Sequence, residues 1–106
     1  MIEIPIKPIP NQKIDIILNK QNVRIIINYK YGNLYADVYS KGDALCYGAI
    51  IRNNTPIIKA RYTGFDGNLF MHDMNSTLDP DYELLGKRYR LVYLTNEEVK
   101  KFNVVV

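Results

Sequence analysis

From Lys13 onward the chain alternates apolar and polar residues with a period of two. In residues 13–18, Ile14, Ile16 and Leu18 share a face. In 23–31, Val23, Ile25, Ile27, Tyr29 and Tyr31 face one way, and Arg24, Ile26, Asn28 and Lys30 the other. Successive side chains of a strand point to opposite sides, and β-branched and aromatic residues suit a half-buried pleated surface, so both segments are expected as strands. Turns are expected at 20–22, 31–33 and 40–43, where Gly42 can take a positive φ. Strands are expected at 34–39, with Leu34, Ala36 and Val38 on one side, and at 44–51, followed by a loop over 52–56. Residues 57–65 fit either a strand or a short helix. Residues 65–68 read as a hairpin-type turn between apolar stretches. Beyond it come a strand at 69–74, an acidic loop at 75–86 with one helical turn before Gly86, and a strand at 87–94. Residues 95–102 read as the start of a helix, with Thr95 or Asn96 as N-cap and acids in its first turn, too short to weigh on the fold.

The first twelve residues carry Pro5, Pro8 and Pro10. Proline has no N–H to give to a ladder, so this arm is expected as an edge strand or as a segment laid on a neighbour. Short strands with closely spaced turns, each burying one face, specify an all-β domain, either a small antiparallel barrel or a sandwich. The expected layout is one domain over 1–106: an extended arm at 1–12, a β core at 13–94, and a C-terminal segment at 95–106 with at most one short helix. A chain of 106 residues is long enough to bury about two-thirds of its unfolded surface.

Composition changes this picture little. The net charge of +3 is too mild for a dedicated duplex-DNA binder, which needs a strongly basic face. A single cysteine, Cys46, excludes an internal disulfide, and its apolar strand makes it a small buried hydrophobe rather than a reactive thiol. The prolines fall where a secretion signal would need an unbroken apolar core, and no apolar run is long enough to span a membrane. The chain is therefore expected to be made in the cytoplasm and to stay there unless it joins a particle that leaves the cell.

Candidate chemistry is sparse. His72 is the lone histidine, and its neighbour Asp73 should point to the opposite face, so a structural or surface role is expected. One His and one Cys do not make a zinc site. Asp79, Asp81 and Glu83 alternate like the start of a calcium loop, but the glycine that such a loop needs at its sharp turn is missing, so a solvated loop is expected. Asp66, Asp73, Asp79, Asp81 and Glu83 lie in a stretch without Lys or Arg, flanked by basic clusters at 59–61 and 87–90. If those clusters converge, the surface is polarised and suits docking to a complementary protein. Residues 29–35, 59–62 and 87–93 interleave basic and aromatic side chains, as single-strand binders do. An oligonucleotide-binding module using Arg88 and Arg90 is thus the alternative to a protein-contact role. No Gly-rich phosphate loop, nucleophile elbow or carboxylate pair points to an enzyme, and no cofactor is expected.

The order of segments, from the Pro-bearing start to a closing 79–95, resembles the small baseplate plug, or hub-associated, proteins of contractile-tailed bacteriophages, a cyanophage baseplate plug among them. Tyr35 and Asp37 match the family's aromatic-Tyr-x-Asp core, with Leu34 where members often have Trp. Gly48, Ile50 and Ile51 resemble the next strand, Tyr62 and Gly64 the middle element, and Gly67 and Leu69 the strand after it. Leu85, Gly86, Arg90, Leu91 and Tyr93 match the close. The resemblance covers roughly 4–95 and implies a structural, non-enzymatic virion protein near the tail axis. Its partners would be tube, hub and spike proteins, and its copies would form a homo-oligomer, three by analogy with tail hubs. Nucleic acid and membrane are not expected as partners. Pro5, Pro8, Pro10, Arg61, Tyr62, Arg88 and Arg90 are the candidate contact positions.

Overall fold

The computed structural model describes residues 2–59, 65–74 and 82–101. Seven strands lie in them: β1 (Ile2–Ile4), β2 (Gln12–Leu18), β3 (Gln21–Lys30), β4 (Asn33–Ser40), β5 (Asp43–Ile50), β6 (Asn68–Asp73) and β7 (Tyr89–Leu94). A 3-10 turn at Tyr82–Leu84 precedes β7, and helix α1 (Asn96–Lys101) follows it. Strands β2-β3-β4-β5 form an antiparallel meander, and β1-β7-β6 form a second antiparallel sheet. No ladder joins the two sheets among the described residues, so of the two expected architectures the fold is the sandwich, not the closed barrel.

The period-two pattern sets the core. Val23, Ile25 and Ile27 of β3 and Leu34, Ala36 and Val38 of β4 are buried, and they meet Ile4, Leu69, Met71, Tyr89, Leu91 and Tyr93 of the smaller sheet in one cluster. The three meander turns are two-residue turns: Asn19-Lys20, Tyr31-Gly32 and Lys41-Gly42, with φ positive at both positions of each. That geometry matches the right-handed strand twist. The first turn therefore begins at Asn19, one residue before the expected 20–22.

Strand β5 breaks the alternation. Its register against β4 shifts between Ala36 and Val38 and again between Val38 and Tyr39. The partners Val38↔Cys46 and Ala36↔Ala49 leave one extra residue on β5 in between, and Val38↔Cys46 to Tyr39↔Ala44 leaves another. These bulges let Leu45, Cys46 and Ala49 all turn toward the core, while Tyr47 turns out to meet Tyr39 edge-on at 5.6 Å.

Three expectations need correction. Residues 57–59 are neither strand nor helix. Ile57 and Ile58 are nevertheless buried: the Ile57 N–H donates to the Leu69 carbonyl at 3.0 Å, and the Asn68 amide both accepts from the Ile58 N–H (2.9 Å) and donates to its carbonyl (2.7 Å). Residues 60–64 lie outside the described residues. Second, no hairpin ladder is found across 65–68 among the described residues: the ladder of β6 is with β7, more than a dozen residues later. Third, α1 does weigh on the fold: Val99 is buried with Phe70 and Leu94 and covers the outer face of the smaller sheet. Thr95 is its N-cap. The Thr95 hydroxyl accepts the Glu98 N–H at 3.2 Å, and the Glu98 carboxylate accepts the Thr95 N–H at 3.0 Å, a reciprocal box.

Candidate functional site

The arm is an edge strand that becomes a crossing segment. Strand β1 pairs with β7 through Ile2↔Tyr93 and Ile4↔Leu91. Ile4 is buried and Ile6 packs against the core, whereas Pro5, Pro8 and Pro10 are all exposed. The crossing is held by Gln12, whose side-chain amide accepts the Lys7 N–H (3.0 Å) and donates to the Lys7 carbonyl (2.8 Å). Gly86 lets the arm approach: its φ is +79°, and a β-carbon there would lie 2.5 Å from the Ile6 carbonyl oxygen. Beside it, Leu85 is fully buried.

The other glycines of the closing motifs also have local work. Asp37 lies on the outer face of β4, and its carboxylate accepts the Gly48 N–H at 2.6 Å. That bond pins the β5 bulge, where Gly48 takes φ +55°. Gly67 has φ +107°, and a β-carbon there would meet the Leu94 carbonyl oxygen at 2.3 Å and the Tyr93 ring at 2.6 Å. The adjoining Asp66 ties three elements together. Its carboxylate accepts the Asn96 N–H at 2.9 Å at the start of α1 and bonds the Asn19 amide in the β2–β3 turn. Its N–H donates to Gln21 at 2.9 Å, and its carbonyl accepts the Tyr93 hydroxyl. Tyr93 is fully buried, and burial pushes its phenol above the usual range. Leu91, also fully buried, packs in the same core. Tyr35 is half-buried on the outer side of β4, next to the inward Leu34.

The two candidate arginines of β7 and the turn before it are both ion-paired within the chain. Arg88 meets Asp73 in a two-pronged bond of 2.7 and 2.8 Å, and the Asp73 side chain is fully buried. The carboxylate beside it raises the Arg88 pKa further. Arg90 reaches Glu3 of β1 at 2.9 Å in a half-exposed pair. Asp73 therefore does not add to an acidic surface: it neutralises a member of the basic cluster expected to oppose it. Arg61, Tyr62, Gly64, Asp79 and Asp81 lie outside the described residues.

His72 is exposed, with Nδ1 2.8 Å from the Asn54 amide oxygen, and points away from buried Asp73. Cys46 is half-buried, and burial pushes its thiol up. Among the described residues no three His, Cys, Asp or Glu side chains gather as metal ligands, and no helix is long and apolar enough to cross a membrane. An open groove of about 1020 Å³ lies over Ile17, Arg24, Ile26 and Tyr39. Its charged lining includes Asp15 and Arg24, which bond each other at 2.7 Å.

Two features were missed at the level of sequence. The bulges of β5 have a signal in the Tyr-Gly of 47–48, which interrupts the alternation. The Asp66 junction has none, since its partners lie 27 to 47 positions away in the chain.

Carboxylates and glycines here secure turns, bulges and close approaches, while Pro5, Pro8, Pro10, Tyr31 and Tyr47 face outward. That division of labour suits a structural β-sandwich. The chain belongs to a phage baseplate family, the one described as "Cyanophage baseplate Pam3 plug gp18", which it matches over residues 1–97. The match takes in every strand described above. No curated protein matches the chain.

Proposed function

We propose that this protein is a structural plug of a phage-tail baseplate, located near the tail axis and joining tube, hub and spike by protein–protein contacts. The observation that carries the reading is the match to the baseplate plug family across almost the whole chain. The fold supports it in kind. Ile4 and Ile6 anchor the arm while Pro5, Pro8 and Pro10 face outward, and a proline-bearing segment offers contacts without the liability of a free ladder. Arg61, Tyr62 and Arg90 are proposed as further contacts. Arg88 contributes by holding the turn before β7, since its guanidinium is committed to Asp73. The role is non-enzymatic. The chain is made in the host cytoplasm and carried out in the virion, in several copies around the axis, three by analogy with tail hubs.

Peptide mass spectrometry on purified, nuclease-treated particles tests this. A few copies per tail, alongside tube, sheath and hub proteins, is the expected result. Absence from particles that contain those three overturns the plug reading.

A further inference from the structure

We propose that β2 is a self-pairing edge: two copies join antiparallel along Gln12–Ile16 in a single register, making one continuous eight-stranded sheet. Unpaired edges are places where a second chain adds a strand, and proteins blunt them with prolines, bulges, short length or cover. Among the described residues, three of the four sheet edges are blunted. β1 has three residues and runs into Pro5. β5 carries two bulges and Gly48. β6 is covered by 53–58, whose Asn54 and Ile57 N–H groups donate to Met71 and Leu69. Among the described residues β2 has none of these devices: seven residues in unbroken register with β3, without proline or glycine.

The turn decides which backbone groups are open. In a two-residue hairpin the flanking pair, here Leu18 and Gln21, exchanges hydrogen bonds, and the pattern alternates from there. Leu18, Ile16, Ile14 and Gln12 therefore bond to β3, and Ile17, Asp15 and Lys13 aim their N–H and C=O groups away from the sheet. No partner for those groups is found among the described residues.

Charge then selects the register. A second β2 can pair only where open groups meet open groups, which leaves three central alignments. Placing Asp15 opposite its own copy sets like charges face to face, which is destabilising. Placing Asp15 opposite Ile17 sets a carboxylate against an apolar side chain that is 68% exposed and matches no charge. Placing Lys13 opposite Asp15 brings Lys13 to the carboxylate that Arg24 already holds at 2.7 Å, twice by symmetry, and makes four backbone hydrogen bonds, with Ile14 beside its own copy on the core side. Ile14 and Ile16 are only half-buried at this edge, and the added strand covers them. The arrangement is isologous and closes at two copies. Copies set around one axis meet head to tail and do not share a two-fold contact, so this pair belongs to the free chain, and it stands independently of the plug reading.

Sedimentation of the purified full chain measures the association directly, with folding of every variant checked by circular dichroism. A monomer–dimer equilibrium in the micromolar range is expected for so small a contact. Lys13→Asp weakens it about tenfold or more by turning two attractions into repulsions, and Lys13→Arg, which keeps the charge, leaves it unchanged. Lys13→Pro removes an outward N–H without touching the β2–β3 ladder and also abolishes pairing. The register is read by oxidation: in a Cys46→Ala background, Ile14→Cys forms a disulfide between copies, because facing residues of a non-hydrogen-bonded pair come about 4.5 Å apart at Cα. Ile16→Cys does not. A chain still monomeric at about 1 mM, or a disulfide at position 16 in preference to 14, overturns the proposal. So does an oligomer indifferent to Lys13→Pro, which would place the contact on another surface.

Discussion

Gly67 has no room for a β-carbon, and this makes it the most demanding single position of the junction. Its φ of +107° and the 2.3 Å that an added β-carbon would leave to the Leu94 carbonyl oxygen act together. Gly67→Ala should destabilise the fold by about 3 kcal/mol, measured by urea unfolding. The two arginines near the start of β7 show how burial sets the worth of an ion pair. Arg88→Ala takes the two-pronged guanidinium away from the fully buried Asp73 carboxylate and should cost about 3 kcal/mol. Arg90→Ala releases a pair whose two side chains are 37% and 54% exposed, and should cost under about 1 kcal/mol. Equal costs in the same unfolding assay would contradict this ordering. Cys46 makes a chemical prediction. Burial raises its pKa, so the reactive thiolate is scarcer at neutral pH than in the unfolded chain. Thiol reagents should label it slowly in the native protein and rapidly in denaturant. These two interactions were not equally legible. A lone cysteine in an apolar strand announces a buried hydrophobe, whereas adjacent acids and bases in a sequence give no hint that Asp73 and Arg88 will cancel across 15 positions.

At the scale of elements, the meander was readable because its physics is local. A strand that buries one face must alternate, and a two-residue turn must follow closely. β2, β3 and β4 obey both conditions. β5 obeys them only after its bulges return Leu45, Cys46 and Ala49 to the core. The segment 57–59 obeys neither, because Ile57 is held by donating to the Leu69 carbonyl and Ile58 by exchanging bonds with the Asn68 side chain, rather than by a ladder of their own. Helix α1 was found from its cap, but its importance was not, since nothing in six residues says that Val99 will close the outer face over Phe70. Thr95→Ala should cost about 1 kcal/mol through loss of the reciprocal cap, and amide exchange over 96–101 should quicken before that of β6 or β7.

For the molecule as a whole, the decisive fact is that the two sheets share one core. Ile4, Leu69, Met71, Leu91 and Tyr93 of the smaller sheet and Ile25, Ile27, Leu34 and Val38 of the larger belong to a single buried cluster. Neither sheet keeps an apolar interior without the other. Unfolding should therefore be a single transition, with the tyrosine signal in the near ultraviolet and the backbone signal in the far ultraviolet giving the same midpoint. A separate early loss of the smaller sheet would show that the Asp66 junction does not couple them. The outer surface is freed by this arrangement, because no exposed group is needed to complete the core. Exposed prolines and the open β2 edge can then serve contacts with other chains.

The all-β class, the meander strands and the proline-bearing edge were set by the chain's own pattern. Alternation, turn chemistry and the missing proline N–H act over a few residues and need no distant partner. Only the three-dimensional fold decided that the sheet pair is a sandwich and not a barrel, that β7 is flanked by β1 and β6, and that Arg88 is committed to Asp73. Each of those outcomes depends on which surfaces meet across long stretches of chain. That choice is made by burial and hydrogen-bond satisfaction in the assembled molecule, and a local pattern does not encode it.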